Sequence, residues 1–236
     1  MSDRVRLLIE SDYRAKAFDH MRRGESIPLI ILFKLLIRGL FIEPFVYLVR
    51  YMPGVVGMQI RVWIGKVTMR RLGKNSLIDF GAIIEGAKNI SIDDYVWVDR
   101  HVELIALSGE ITIGRRVHIA PRVVISGLGG VYVGDYVGIG ANAQILSHSE
   151  AVDNGKRMGG PMIPEEMKGM ATGPVRLEKD SFVGTGAVIL PGITVGEGAV
   201  VAANSLVITD VKPWIIVMGV PARPVGKRDP VTVPDI

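Results

Sequence analysis

From about residue 78 onward, aliphatic residues return at every sixth position, and no other feature constrains the fold as strongly. The unbroken series is Leu177, Val183, Ile189, Val195, Val201, Val207. A small or acidic residue follows in most cases, as at Glu178, Gly184, Gly196 and Ala202. Four residues after each aliphatic stands a second small or aliphatic one: Ser181, Ala187, Ile193, Ala199, Ser205, Val211. Three earlier series obey the same rule, namely Ile92, Val98, Leu104, then Ile113, Ile119, Ile125, then Val133, Ile139, Ile145.

A period of six is neither the 3.6 of a helix nor the 2 of a strand, so the chain must turn a corner every six residues. Three such sides make a triangular coil of about 18 residues, with the aliphatic inward and each coil pairing in parallel with the one beneath. The small residue is expected to let the backbone turn. The surplus residues Ser108–Glu110 and Leu128–Gly130 then fall in loops at corners. About six coils rising ~4.7 Å each give a prism roughly 28 Å tall. Composition agrees, since 48% of residues are hydrophobic but only 6% aromatic, with 28 glycines. The chain has no cysteine, which excludes disulfides, thiolate zinc sites and a cysteine nucleophile, and with no cleavable N-terminal signal points to a reducing cytoplasm.

The repeat breaks once. After Ile145 the next in-register aliphatic is Leu177, and the intervening run carries Ser147, His148, Ser149, Glu150, then many Gly, Pro and Met residues. Long excursions from a compact array are usually functional. His148 stands at the exit of a coil just before this loop, which makes it the candidate general base, with Glu150 as a candidate to orient the imidazole.

The repeat, together with Gly184-Thr185-Gly186-Ala187-Val188-Ile189-Leu190-Pro191-Gly192-Ile193-Thr194-Val195-Gly196 and Gly219-Val220-Pro221-Ala222-Arg223-Pro224, resembles the hexapeptide-repeat acyltransferases. The resemblance covers roughly residues 55 to 230. It implies a left-handed parallel β-helix, an exception to the right-handed crossover rule. It further implies a homotrimer with acetyl-CoA in the groove between prisms and no metal. The galactoside, maltose and colanic-acid enzymes of the family place their catalytic His in a similar segment, which matches His148 here. Thr185, followed by Gly186, matches the residue whose backbone N–H faces the thioester oxygen, and Ala203 matches a small residue beside the pantetheine arm. Arg223 and Lys227, with Arg228, offer charge to the CoA phosphates.

Two positions depart from the family pattern. Ala120 stands near the place of an Asn that some relatives use for the acceptor, leaving His118 and Arg122 on the same coil as candidate acceptor-binding or merely corner residues; Phe182 stands where many relatives have Trp. Some β-helix relatives are zinc carbonic anhydrases, but His101, His118 and His148 form no close pair of ligands. The function that emerges is acetyl-CoA-dependent O-acetylation of a sugar in a surface polysaccharide or lipid-linked precursor. N-acetylation of an amino sugar nucleotide, or a catalytically inactive scaffold, are the alternatives.

The net charge of +4 conceals a division. Residues 1–75 hold 14 Lys/Arg against 6 Asp/Glu, and the remainder holds 14 against 18. Residues 3–23 read as a charged helix, and Ile27 to Val49 are strongly apolar. Thirteen Leu, Ile and Phe residues between 27 and 45 favour insertion by about 6.5 kcal/mol, while Lys34, Arg38 and Glu43 oppose it by about 9, so spanning is disfavoured. Lys34 and Arg38 share a helix face, with Pro44 expected to end that helix, which suits a segment lying on an anionic membrane surface, the alternative being an apolar face packed on the prism or on another subunit. The cluster Arg61, Lys66, Arg70, Arg71, Lys74 supplies a second basic signal. A stripe of stacking aromatics is missing, which argues against nucleic acid. The resulting layout is a helical segment over 1–57, a mainly β prism over 58–212 with the insertion 146–176, and a tail over 213–236. It places the protein in the cytoplasm, peripheral on the inner face of the membrane.

Overall fold

The computed structural model describes residues 13–152, 155–158, 160 and 163–235. The chain divides into two compact units, residues 1–51 with 150–171, and residues 52–149 with 172–236.

The larger unit is a parallel β-solenoid of about seven turns. Its first face stacks Arg71–Leu72, Ile90–Ile92, Ile111–Ile113, Val131–Val133, Val175–Leu177 and Thr194–Val195. The second stacks Leu77–Ile78, Trp97–Val98, His118–Ile119, Gly138–Ile139, Phe182–Val183 and Val200–Val201; the third runs from Ile83–Glu85 through Val124–Ser126 and Gln144–Leu146 to Leu206–Val207. The register is that of the six-residue series: Ile119 pairs with Ile139 and Ile139 with Val183. Ile125 pairs with Ile145 and Ile145 with Ile189. These aliphatics fill the interior. Leu104, Ile119, Ile125, Ile145, Ile189 and Val201 are each 0% exposed. Truncating one leaves a cavity that the stacked coils cannot collapse around, so Leu104→Ala should cost about 2–5 kcal/mol in urea denaturation. A loss under about 1 kcal/mol would mean that the interior relaxes.

The small residue after each aliphatic has a different reason from the one expected. Gly134 and Gly140 do not hold a positive φ. A Cβ on Gly134 would instead lie 2.7 Å from the amide nitrogen of Lys179, and one on Gly140 2.5 Å from that of Thr185, each in the next coil. Side-chain volume is excluded there by the backbone stacked above. The turning itself falls two residues later, at left-handed positions such as Arg122 (φ 61), Asn142 (φ 58), Gly186 (φ 69) and Asn204 (φ 54).

Both ends of the prism are closed by elements that the six-residue spacing does not reveal. The boundary expected at residue 58 falls inside a helix, Gly54–Thr68, and the first strand of the coil begins at Arg71. That helix packs down on the first coil because Gly65 has no side chain; a Cβ there would be 2.8 Å from Leu72 and 3.1 Å from Ile78. Arg61, 6% exposed, donates from Nε to the Ile78 carbonyl (3.0 Å) and from Nη1 to that of Met52 (2.8 Å). At the other end the expected tail is largely a hairpin. Ile215–Gly219 adds to the second face beside Val200–Val201, and Ala222–Lys227 pairs antiparallel with it.

The smaller unit contains the helices Tyr13–Arg22, Leu29–Ile37 and Glu43–Tyr51. Pro44 does not end the helical run. It sits in the first turn of Glu43–Tyr51, after the π-helical segment Arg38–Ile42, where its missing N–H costs little. The expected helix over 3–23 is present from Tyr13; residues 3–12 lie outside the described residues. Among the described residues no helix is long and apolar enough to cross a membrane. Part of the basic signal read from the sequence is met by partners within the chain. Arg61 is buried as described, Arg70 pairs with Glu110 (2.8 Å), Arg71 with Asp93 (2.7 Å) and Arg38 with Glu43 (3.2 Å).

Candidate active site

The side chains around His148 stand at the corner where the third face passes into the first. Strand Gln144–Leu146 ends there, and Ser147, 0% exposed, turns the chain outward into the loop. Ser147 Oγ donates to the Ser126 carbonyl of the coil beneath (2.6 Å) and accepts from the Gly129 amide (2.9 Å). The loop returns to its point of departure, since the Gly173 amide donates to the Ser147 carbonyl (3.0 Å). Departure and return therefore share one anchored residue. His148, half-buried, rests its Nδ1 3.2 Å from Ser126 Oγ. When Ser126 accepts a proton-bearing Nδ1, Nε2 carries the lone pair and can act as a base.

A second constellation occupies the corner between the second and third faces. The left-handed residues Arg122, Asn142, Gly186 and Asn204 stack there on successive coils. Asn142 N donates to the Pro121 carbonyl, Gly186 N to that of Ala141 and Asn204 N to that of Thr185. Among the described residues Thr185, which precedes Gly186, makes no such bond through its own amide. Thr185 and Ala203 are both exposed at this edge, one coil apart. An outward amide with a small residue above it suits a thioester laid along the corner, because the donor is fixed by the coil before any charge develops. Exposed Arg223 and Lys227 follow on the terminal strand Ala222–Lys227.

The other candidates are placed as follows. Arg122 Nε donates to Asn142 Oδ1 (3.0 Å), as a rung of the corner ladder. His118 lies on the second face, its Nε2 3.5 Å from Asp99 Oδ2 and its ring 5.5 Å from Trp97. Neither is at the corner that holds His148. Glu150 is exposed in the short strand His148–Glu150, and the imidazole Nδ1 partner proves to be Ser126. Arg228 is used structurally, Nη1 donating to the Asp180 carbonyl (2.7 Å). His101, His118 and His148 lie at three different places on the prism, and among the described residues no group of three potential metal ligands converges.

Comparison with known proteins then fixes the family. The profile described as "Hexapeptide repeat of succinyl-transferase" matches residues 174–209. The chain is 33% identical over 159 residues to the dTDP-4-amino-4,6-dideoxy-D-glucose acyltransferase of Escherichia coli, covering 67% of this chain and 82% of that one. The chain belongs to the hexapeptide-repeat acyltransferases. A second relative, the putative lipopolysaccharide biosynthesis O-acetyl transferase WbbJ of Escherichia coli K12, is 29% identical, with 61% of each chain covered. Among solved structures, the N-acyltransferase AntD from Bacillus cereus in complex with dTDP and 3-hydroxybutyryl-CoA matches with a TM-score of 0.66 and 32% identity, over 72% of this chain and 88% of that one.

As a hexapeptide-repeat acyltransferase the chain is an enzyme. Its spacing motif hid one residue of the His148 corner. Ser126 follows Ile125 where the repeat calls for a small residue, so it satisfies the pattern and attracts no notice. Only the parallel pairing of Val124–Ser126 with Gln144–Leu146 brings Ser126 to the histidine.

Proposed function

We propose that the chain transfers an acetyl group from acetyl-CoA to a hydroxyl of a sugar belonging to a surface polysaccharide or its lipid-linked precursor. The observation that carries this reading is the His148 imidazole held by Ser126 at the point where the loop leaves the coil. His148 Nε2 takes the proton of the acceptor hydroxyl, and that oxygen attacks the thioester carbonyl. The carbon–sulfur bond breaks and the imidazolium returns the proton to the departing CoA thiolate. The Thr185 amide donates to the transient oxyanion. Gly186 and Ala203 leave room for the pantetheine arm, and Arg223 and Lys227 meet the phosphates.

His148 and Thr185 stand on different corners of one prism. The reading therefore requires a second copy, and we propose a homotrimer in which the His148 corner of each protomer faces the Thr185 corner of its neighbour.

N-acylation of an amino sugar nucleotide is the second reading, favoured by the likeness to the Escherichia coli acyltransferase of a dTDP-amino sugar. The full chain incubated with acetyl-CoA and a panel of sugars and amino sugar nucleotides separates the two. Thiol release with an alkali-labile product supports the ester, and an alkali-stable product the amide. No thiol release with any acceptor would leave an inactive scaffold.

We further propose a peripheral membrane contact, carried by apolar surface more than by charge. Leu29 is 83% exposed and Phe41 68%, with Phe33 and Phe45 also exposed, whereas Arg38 is paired with Glu43. Burying such side chains in the interfacial region gains roughly 1.5–3 kcal/mol each. Phe33→Asp with Phe41→Asp should release the full chain from sedimenting vesicles with little dependence on salt. Recovery of the unaltered chain wholly in the supernatant would overturn the contact.

A further inference from the structure

The corner that carries His148 is also the corner where surplus residues accumulate on successive coils. Ser108–Glu110 bulges from one coil and Gly127–Gly130 from the next, and the large loop leaves from the third. The first two bulges are stacked, because a Cβ on Gly109 would strike the carbonyl oxygens of Gly127 and Leu128. They enclose an open groove of about 400 Å³ whose floor is Gly109, Gly129 and Gly130 and whose walls are Glu110 and Tyr132. Tyr132 donates its hydroxyl to Glu110 Oε1 (2.9 Å), and Arg70 Nη1 donates to Oε2 (2.8 Å). These hydrogen bonds, that from Arg70 first, hold the Glu110 carboxyl below its usual range, so it is ionised. The guanidinium of Arg176 lies 4.4 Å from the centre of the Tyr132 ring and keeps the ring in place.

The groove is joined to the catalytic corner through its own floor. The Gly129 amide donates to Ser147 Oγ, which donates to the Ser126 carbonyl, and Ser126 Oγ meets His148 Nδ1. A carboxylate accepts about four hydrogen bonds, so Glu110 retains sites after Arg70 and Tyr132 are counted, and the Tyr132 oxygen keeps acceptor capacity. Acceptors at Glu110 and Tyr132 beside glycines that carry no side chain suit a ligand rich in hydroxyl donors. A phosphate would be repelled by Glu110 at this position.

We propose that this groove is the acceptor subsite, in which Glu110 and Tyr132 accept hydrogen bonds from hydroxyl groups of the sugar and present it to His148. The assignment rests on the sugar acyltransferase reading above. With acetyl-CoA saturating, Glu110→Gln and Tyr132→Phe should each raise the acceptor KM about tenfold, the loss of roughly one hydrogen bond, and leave the acetyl-CoA KM unchanged. Arg71→Gln breaks a different exposed ion pair, that with Asp93, and touches neither wall of the groove. It should leave the acceptor KM within about twofold, which a general weakening of the coil would not allow. Acceptor KM values unmoved in both wall variants, or raised equally by Arg71→Gln, would overturn the subsite while leaving the acyl-transfer reading intact. An unaltered chain that acetylates no sugar would overturn that reading and the subsite with it.

Discussion

His148→Ala should lower kcat by about 10²- to 10⁴-fold, the usual contribution of a positioned general base. Ser126 holds the imidazole at Nδ1 (3.2 Å), and the 0%-exposed Ser147 fixes the backbone from which it projects. The corner is anchored by Ser147 and Gly129 rather than by the imidazole, so the variant should keep the thermal midpoint of the unaltered chain. Ser126→Ala should have a smaller effect, about fivefold in kcat, because it removes one orienting hydrogen bond of roughly 1 kcal/mol and leaves the base itself. Steady-state rates at saturating acetyl-CoA and acceptor test both. Full activity in His148→Ala would assign the proton to another group, and an effect of Ser126→Ala as large as that of His148→Ala would make the serine more than a positioning residue.

The parts of this molecule legible in its sequence are those in which one residue answers to one local rule. Ile125 and Ile145 must point inward once the chain turns every six residues, and they are fully buried. The parts that were not legible depend on which coil lies against which. Gly140 reads as a turning residue until the next coil is placed on it, when the amide of Thr185 proves to be the reason for its size. Ser126 reads as a spacer until strand pairing carries it to His148. Read from spacing, residues 58–68 belong to the prism, although they form the greater part of helix Gly54–Thr68. Tertiary packing of Gly65 on Leu72 and Ile78 decides otherwise. Charge counting failed for the same reason, since the total for residues 1–75 cannot distinguish a guanidinium open to solvent from Arg61, bonded to two carbonyls, or Arg70, paired with Glu110.

The stacking constraint also yields a way to perturb the chemistry without touching it. Gly140 lies one coil below Thr185, and a Cβ at Gly140 would be 2.5 Å from the Thr185 nitrogen and 3.0 Å from its Cα. Both contacts are backbone, so no side chain can swing aside, and relief to ordinary contact requires the corner to rise by about 1 Å. A displacement of that size at a reacting group costs about 10²-fold in rate. Gly140→Ala should therefore lower kcat by about 10²-fold, with a loss of stability of about 1–3 kcal/mol from overpacking. Gly134→Ala is the matched control. Its Cβ would meet the Lys179 nitrogen at 2.7 Å in the same structural position, but at the corner between the first and second faces, which holds neither His148 nor Thr185. The two variants should lose similar stability in thermal melts, and only Gly140→Ala should lose the rate. Equal kcat losses would mean that Gly140 acts through the general integrity of the prism, and the Thr185 amide would then lose its place in the mechanism.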